Sequence, residues 1–381
     1  MKKNVKICKK CIMDSSTPDF YLDKNGICNY CKLRDQLEIA FPNNKQGQKE
    51  LANLFKKIRL DGKNKKYDCI IGVSGGTDST YLLHLAKKQH LKPLAIHLDN
   101  GWNSEISTNN LKRTLDKLKI DLDTHVVYWP EMKDILLSFL KASLPWADGP
   151  TDIAIVSNLY KQALKHKIKY ILVGNNFRTE GKQPDAWTHI DGRQLLYIQK
   201  HFGTKKLKTF PNLTASNLIY YGIKKIKMIK PLYYIPYNKN EVKKFITKEY
   251  GWQDYGEHHH ESIFTRFIIG CWLPQKFNID KRKVTYSALI RSGEMKRSDA
   301  LKKIKELPYD KKRIEEDKQY IIKKLGINEK EFTKIWNNPN KKFTDFPSYY
   351  PFYKKFQKII DFFLFKILPN KPLMSFKDEH N

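Results

Sequence analysis

Two hydrophobic periods alternate along the chain. Short, nearly continuous apolar runs lie at Asp68–Val73 and in PLAIHL from Pro93, THVVYW from Thr124, KYILV from Lys169 and MIKPLYYI from Met228. Each is shorter than a typical helix and bounded by polar or turn-forming residues, so each predicts a strand. Between them lie segments whose apolar residues recur every third or fourth position. These predict helices over about Leu33–Ile58 with a break at Pro42, over Asp78–Gln89 and Glu105–Leu118, in MKDILLSFLKAS from Met132, and over Asp152–His166. Strands alternating with helices of this length predict an α/β fold with a parallel sheet and helices on both faces. After about Glu257 the pattern turns mostly helical and highly charged, as in KRSDALKKIKELPYDKKRIEEDKQYIIKKLG.

The start of the chain obeys neither period. Cys8, Cys11, Cys28 and Cys31 form C-x2-C-x16-C-x2-C, and Asn25-Gly26 between the pairs marks a tight turn. Two CxxC turns offering four soft ligands suit one tetrahedral Zn2+ in a closed structural site. The alternative is an iron–sulfur cluster. The organisation expected is a zinc-ribbon-like module at 1–45, an α/β domain at 46–256 and a helical region at 257–381. MKKNVKICKKC lacks the apolar stretch of a signal peptide, and IIDFFLFKIL from Ile359 is too short to span a bilayer. A cytoplasmic protein without a transmembrane segment is therefore expected.

In open parallel sheets, ligands bind beyond the carboxyl ends of the strands. Here three strand ends carry the polar residues: SGGTDST, LDNGW and GNNFRTEG. At the first, Gly75 and Gly76 allow the backbone to approach a phosphate, and the following helix start favours an anion. Ser74, Ser79 and Thr80 add hydroxyls. Asp78 has two competing roles, as a helix cap or as a holder of Mg2+ on the phosphates. The Walker sequence is absent. The loop instead matches S-G-G-x-D-S, the fingerprint of the pyrophosphatase-type (PP-loop) ATP-binding loop, whose enzymes cleave ATP between the α and β phosphates. That likeness places Asp99 near the nucleoside, although a plain turn before Gly101 would also explain it. Glu180, Gly174 and Asn175 belong to the fourth strand end. His258, His259 and His260, followed by Glu261, are the densest titratable group, suited to anion binding, proton transfer or metal binding. Arg266, Lys281 and Arg282 are further candidate anion contacts.

The charge balance, 71 Lys and Arg against 40 Asp and Glu, gives +31 over 381 residues. It fits an acidic ligand, yet the basic residues are spread along the chain rather than gathered in one tail.

The stretch YGEHHHESIFTRFIIGCWLPQKFNIDKRKVTYSALIRSGEMKRSDAL, Tyr255–Leu301, resembles the signature of the N-acetyl sugar amidotransferases. These are PP-loop enzymes of bacterial surface-glycan biosynthesis, related to those that make acetamidino sugars in lipopolysaccharide and flagellin glycans. The cysteine-bearing start, VSGGTDST, LDNGW, GNNFRTEG and LKTFPNL also resemble that family, so the likeness covers nearly the whole chain. It implies an adenine nucleotide α-hydrolase-like, Rossmann-like core. It further implies ATP-dependent adenylation of an N-acetyl carbonyl and its replacement by ammonia-derived nitrogen, with Asp78, Glu180, His259 and His260 as catalytic candidates. The expected substrate is an N-acetyl sugar, either nucleotide-linked or a nonulosonic acid. Cys69 falls in a predicted buried strand and Cys271 lacks a nucleophile-elbow pattern, so neither reads as a glutaminase nucleophile. Ammonia is therefore expected from separate glutaminase- and cyclase-like subunits. No nucleic-acid partner is expected. The rival reading is an ATP-dependent tRNA-modifying enzyme with the same loop; a non-enzymatic zinc-bearing binding module is the other.

Overall fold

The computed structural model describes residues 5–256 and 261–362. Five parallel strands, β1 Cys69–Gly72, β2 Pro93–Asp99, β3 Leu122–Val126, β4 Tyr170–Leu172 and β5 Lys227–Ile229, form one sheet in the order β3-β2-β1-β4-β5. Ile71 of β1 stands between Ala95 of β2 and Leu172 of β4. β1 is buried on both faces because side chains alternate along it. Cys69 and Ile71 join Phe55 and Ile58 of α2 (Lys45–Asp61) and Leu82, Leu83 and Ala86 of α3 (Thr77–Lys88). Ile70 joins Leu159 and Ala163 on the other face. This is the parallel α/β arrangement expected, with the chain reversing direction through the sheet between β1 and β4.

The remaining helices, in chain order after α1 (Asn29–Ala40), α2 and α3, are α4 Glu105–Leu118, α5 Trp129–Lys141, α6 Gly149–Lys165, α7 Phe177–Glu180, α8 Asp185–Thr188, α9 Gly192–Phe202, α10 Ala215–Ile223, α11 Lys239–Tyr250, α12 Ile263–Phe267, α13 Arg282–Arg291, α14 Arg297–Lys303, α15 Lys311–Leu325, α16 Glu329–Trp336 and α17 Tyr350–Phe362. The fifth strand is shorter than its apolar run. Pro231 lacks an N–H for the ladder, and Pro231–Tyr234 forms a 3-10 turn instead. The third strand begins at Leu122, and α5 starts at Trp129 with Pro130 in its first turn. Helices α9, α10 and α11 were not anticipated from the apolar spacing. Each nonetheless begins at a polar cap, with Asp191, Thr214 and Asn238 accepting from backbone N–H groups of the first turn.

The C-terminal helices share one core with the cysteine turns. Cys8, Cys11, Cys28 and Cys31 cluster with Phe264, Phe267, Trp272 and Val284. After α12 the helix widens into a π-helical stretch, Ile268–Lys276, containing Pro274. Among the described residues, no helix is long and apolar enough to cross a membrane.

Two buried arginines fasten the parts together. Arg178 forks onto Glu38 of α1 at 2.9 and 2.6 Å and also donates to the Phe41 and Tyr233 carbonyls. Arg266, read from sequence as an anion contact, instead pairs bidentately with Asp317 of α15 at 2.7 and 2.6 Å. Its side chain is 10% exposed and that of Asp317 7%, so the guanidinium is already satisfied by protein.

Removing one partner of such a pair leaves an uncompensated buried charge. Asp317→Ala should lower the unfolding free energy by about 3–5 kcal/mol, measured by urea denaturation.

Candidate functional site

The β1 loop is built for close approach. Gly75 has φ +76°, and a Cβ there would run into the Ser107 carbonyl at the start of α4. The Trp252 indole donates to the Gly75 carbonyl at 3.0 Å and fixes the turn from outside. The Ser79 hydroxyl ties the loop internally, accepting from Ser74 N at 3.4 Å and donating to the Gly76 carbonyl at 3.2 Å. Thr80 is buried to 1% exposure. The N-cap of α3 is Gly76, with no side-chain cap. Gly76 N donates to the Ser74 hydroxyl at 3.3 Å and the Thr77 N–H is bonded to the Tyr255 oxygen, while the helix start keeps its partial positive charge. Asp78 is not the cap.

Asp78 is held otherwise. The Tyr237 hydroxyl donates to one oxygen, and Lys239 Nζ lies 3.3 Å from the other. The Asp78 and Lys239 side chains are 16% and 21% exposed. Burial pushes the Lys239 pKa down, but Asp78, Glu180 and Glu261 push it up and prevail. Lys239 thus contacts Asp78 and feels the charge of Glu180 and Glu261, and Glu261 Oε1 lies 3.7 Å from where a Cβ on Gly76 would sit. Burial, with Glu261 and Asp78 nearby, raises the Tyr255 phenol well above its ordinary pKa. Tyr255 lies over the loop, its oxygen 3.0 Å from where a Cβ on Gly76 would sit.

The β4 loop meets the β1 loop where the strand order reverses. A Cβ on Gly174 would lie 2.9 Å from the Asp78 carbonyl carbon and 3.0 Å from Ser79 N. Only glycine lets these backbones touch. Asn175 is exposed, while Asn176 is buried and caps α7, accepting from Arg178 N at 3.1 Å. Glu180 ends α7 and acts electrostatically on Lys239 as well as on two further lysines, Lys230 and Lys281. Burial brings both of these to about pKa 8, with Lys182 adding to the effect at Lys230 and nearby carboxylates opposing it at each. Lys281 Nζ sits 3.9 Å from the Trp146 ring centroid, whereas Arg282 pairs with Asp280.

At the β2 end, Asp99 accepts from Gly101 N at 2.8 Å and so closes its own turn. It also borders a cleft of about 720 Å³, together with His97, Asn103, Leu111, Leu115 and Thr124. His97 Nδ1 donates to the Val73 carbonyl at 3.0 Å, which leaves Nε2 to accept from Asn103 at 3.1 Å. Residues 261–263 are stitched to this loop. Ser104 N donates to the Glu261 carbonyl at 2.8 Å, and Ile263 N donates to the Trp102 carbonyl at 2.9 Å. His258, His259 and His260 lie outside the described residues.

All four cysteines of the paired CxxC turns are fully buried. Their Sγ atoms lie within 4.8 Å of one another, with pairs at 3.9, 3.7 and 3.7 Å. A tetrahedron with ~2.3 Å metal–sulfur bonds has edges of ~3.8 Å, so the donor set fits a single tetrahedral ion. Backbone N–H groups of Lys10 and Cys28 point at Cys8 Sγ, and that of Met13 at Cys11 Sγ. These contacts favour thiolates. Cys69 is fully buried with a raised pKa, and burial pushes Cys271 up to about 12. Neither has the lowered pKa of an activated nucleophile.

Sequence reasoning missed Tyr237, Lys239 and Tyr255, which reach the site from segments outside the strand ends. The Asn238 cap was a usable signal for the helix start that places Tyr237 and Lys239.

The C-terminal domain of WbpG-like LPS biosynthesis proteins matches residues 261–360. That match includes most of the segment in which the sugar-amidotransferase resemblance was read. An uncharacterized protein of Methanocaldococcus jannaschii is 30% identical over 82 residues; the chain spans 29% of that relative's length, using 21% of its own. Similar solved structures include NMN synthetase from Francisella tularensis, at 15% identity and TM-score 0.38 over 74% of this chain and 96% of that one. The NH3-dependent NAD synthetase from Campylobacter jejuni is similar at 14% identity and TM-score 0.32, over 67% and 96%. U34-tRNA thiolase NcsA from Methanococcus maripaludis is similar at 16% identity and TM-score 0.28, over 76% and 86%.

Gly174→Ala should force the β4 loop off the first turn of α3. A loss of about 1–3 kcal/mol is expected in chemical denaturation, as for overpacking at a site that cannot relax.

Proposed function

We propose, from the premise that residues 261–360 form a WbpG-like domain of LPS biosynthesis proteins, that this chain is an ATP-dependent amidotransferase acting on an N-acetyl sugar. The observation carrying the reading is the Lys239–Asp78 pair at a helix start without a side-chain cap, with Glu261 Oε1 3.7 Å from where a Cβ on Gly76 would sit and Glu180 acting on the same lysine. One carboxylate comes from the phosphate-type loop, one from the β4 end and one from the WbpG-like segment. Nucleotide and sugar sites would thus share a boundary.

In this reading the amides of Gly75, Gly76 and the first turn of α3 receive the ATP phosphates. The β2-end cleft beside Asp99 takes the nucleoside. Asp78 would hold Mg2+, which when bound supplies charge neutralisation at the pyrophosphate. The N-acetyl carbonyl oxygen attacks the α-phosphorus and pyrophosphate leaves, giving an O-adenylyl imidate. Ammonia adds to the imidate carbon, AMP departs with the former carbonyl oxygen, and an acetamidino group remains. Lys239 stabilises charge developing on the transferred phosphoryl group, and Glu180 takes a proton from the ammonia adduct. His259 and His260, adjacent in sequence to Glu261, are further proton-transfer groups. Cys8, Cys11, Cys28 and Cys31 hold Zn2+ in a structural role. The burial of Cys69 and Cys271 supports an ammonia supply from separate glutaminase- and cyclase-like subunits. The sugar, nucleotide-linked or a nonulosonic acid, is the partner on which this reading depends, and no nucleic acid is required.

The test is product analysis. With an N-acetyl sugar, Mg2+ and ammonium, ATP should yield AMP and pyrophosphate, and glutamine alone should not replace ammonium. ADP and phosphate as products would overturn the reading. Asp78→Asn should lower turnover by about two to three orders of magnitude, read as initial rates of AMP release. Metal analysis of the purified chain should find about one zinc per chain.

A further inference from the structure

Helix α13 stands between the cysteine turns and the loop that carries Glu180, and its sequence shows how. Lys283, Ser287 and Arg291 are spaced by four and form one stripe. Val284, Ala288 and Ser292 form the neighbouring stripe, about 100° round the helix. The first stripe grips the cysteine module. Lys283 Nζ binds Asp14 at 2.7 Å and the Ser16 hydroxyl at 2.8 Å. Ser287 Oγ accepts from Ile12 N at 3.3 Å, and Arg291 Nη1 donates to the Tyr30 carbonyl at 2.6 Å. At the start of α14, Arg297 adds a fork, with Nε to the Cys11 carbonyl at 3.0 Å and Nη2 to the Cys8 carbonyl at 2.9 Å.

The second stripe seats the β4 loop. Gly181, directly after Glu180, has φ +72°, and a Cβ there would lie 2.7 Å from Val284 Cγ1 and 3.5 Å from Ala288 Cβ. At the other end of α13, the Ser292 hydroxyl donates to the Arg178 carbonyl at 2.8 Å. Both ends of α13 therefore press on α7 while its adjoining face holds the cysteine turns.

We infer that the cysteine module is a positioning device for the Glu180 loop, and that Arg297 and Arg291 are the positioning residues that couple them through α13. A guanidinium fork bridges two acceptors only when they are fixed relative to each other. The Cys8 and Cys11 carbonyls are so fixed when their turn is closed by its four sulfurs. Opening the turn frees Arg297, loosens α13 and releases Gly181 and Glu180, while the β1 loop keeps its own ties to Trp252 and Ser79. The functional consequence rests on the role of Glu180 proposed above.

Amide hydrogen exchange on the full chain tests this without relying on any reaction. The amides of Thr179, Glu180 and Gly181 are bonded to the Asn176 and Phe177 carbonyls, so loosening of this turn is readable. In Arg297→Ala, with metal content verified as unchanged, exchange over residues 177–182 should rise about tenfold while residues 74–80 stay as in the wild type. Arg297→Lys, with one point donor in place of a fork, should fall between. Arg291→Ala removes the second grip, on the Tyr30 carbonyl, and should accelerate the same segment, also with metal retained; it decides the matter if Arg297→Ala does not fold. In turnover, kcat should fall with the KM for ATP unchanged. Unchanged exchange at 177–182 in the metal-retaining variants overturns the inference, as does acceleration spread evenly over the chain. Absence of AMP formation in the wild type would instead overturn the proposed function and leave the exchange result to stand on its own.

Discussion

The close approach of two backbones at the middle of the sheet sets the rest of the architecture. Gly174 has no side chain, so the end of β4 lies against Asp78 and Ser79 at the start of α3. A parallel sheet in the order β3-β2-β1-β4-β5 opens a crevice between β1 and β4, and ligands of such sheets bind there. Asp78 and Glu180 can act on the same lysine only because those two loops touch. Lys239 in turn follows the cap of α11, so the position of that helix is part of the same constraint.

The C-terminal region does not simply append to this core. Residues 261–263 pair with the loop after β2, and Lys324 of α15 donates to the Gly101 carbonyl and lies 4.7 Å from the Trp102 ring centroid. The region therefore closes over the β2 loop while α13 presses on α7. The segment that matches the WbpG-like C-terminal domain thus packs against the loops at the ends of both β2 and β4. Acidic side chains on α5 perform a parallel task. Glu131 accepts from the backbone N–H groups of Lys208, Thr209 and Phe210, and these bonds overcome its burial and hold its pKa low. That explains the local order of the LKTFPNL segment.

Much of this was legible because the signals are local. β1 reads as a strand because its apolar run is short and nearly continuous, and the loop after it reads as phosphate-type from S-G-G-x-D-S, with Gly75 taking a positive φ in the structure. The cysteine spacing fixed the four-sulfur cluster, which the structure closes to within 4.8 Å. The failures share a cause: the information was not local. Arg266 looks like a free cation until Asp317, 51 residues later, is placed beside it. Lys239 looks like one of many surface lysines until Asp78 meets it across 161 residues. The length of β5 was overread because its apolar run continues past Pro231, where ladder pairing cannot.

In the reaction proposed above, the acetyl oxygen itself becomes bonded to the α-phosphorus. An N-acetyl sugar labelled with 18O in the acetyl carbonyl, incubated with ATP, Mg2+ and ammonium, tests it in a single mass spectrum. The label is expected in the phosphate of AMP, with none in the sugar product. Label retained in the sugar, or found in pyrophosphate or inorganic phosphate with AMP unlabelled, would contradict it.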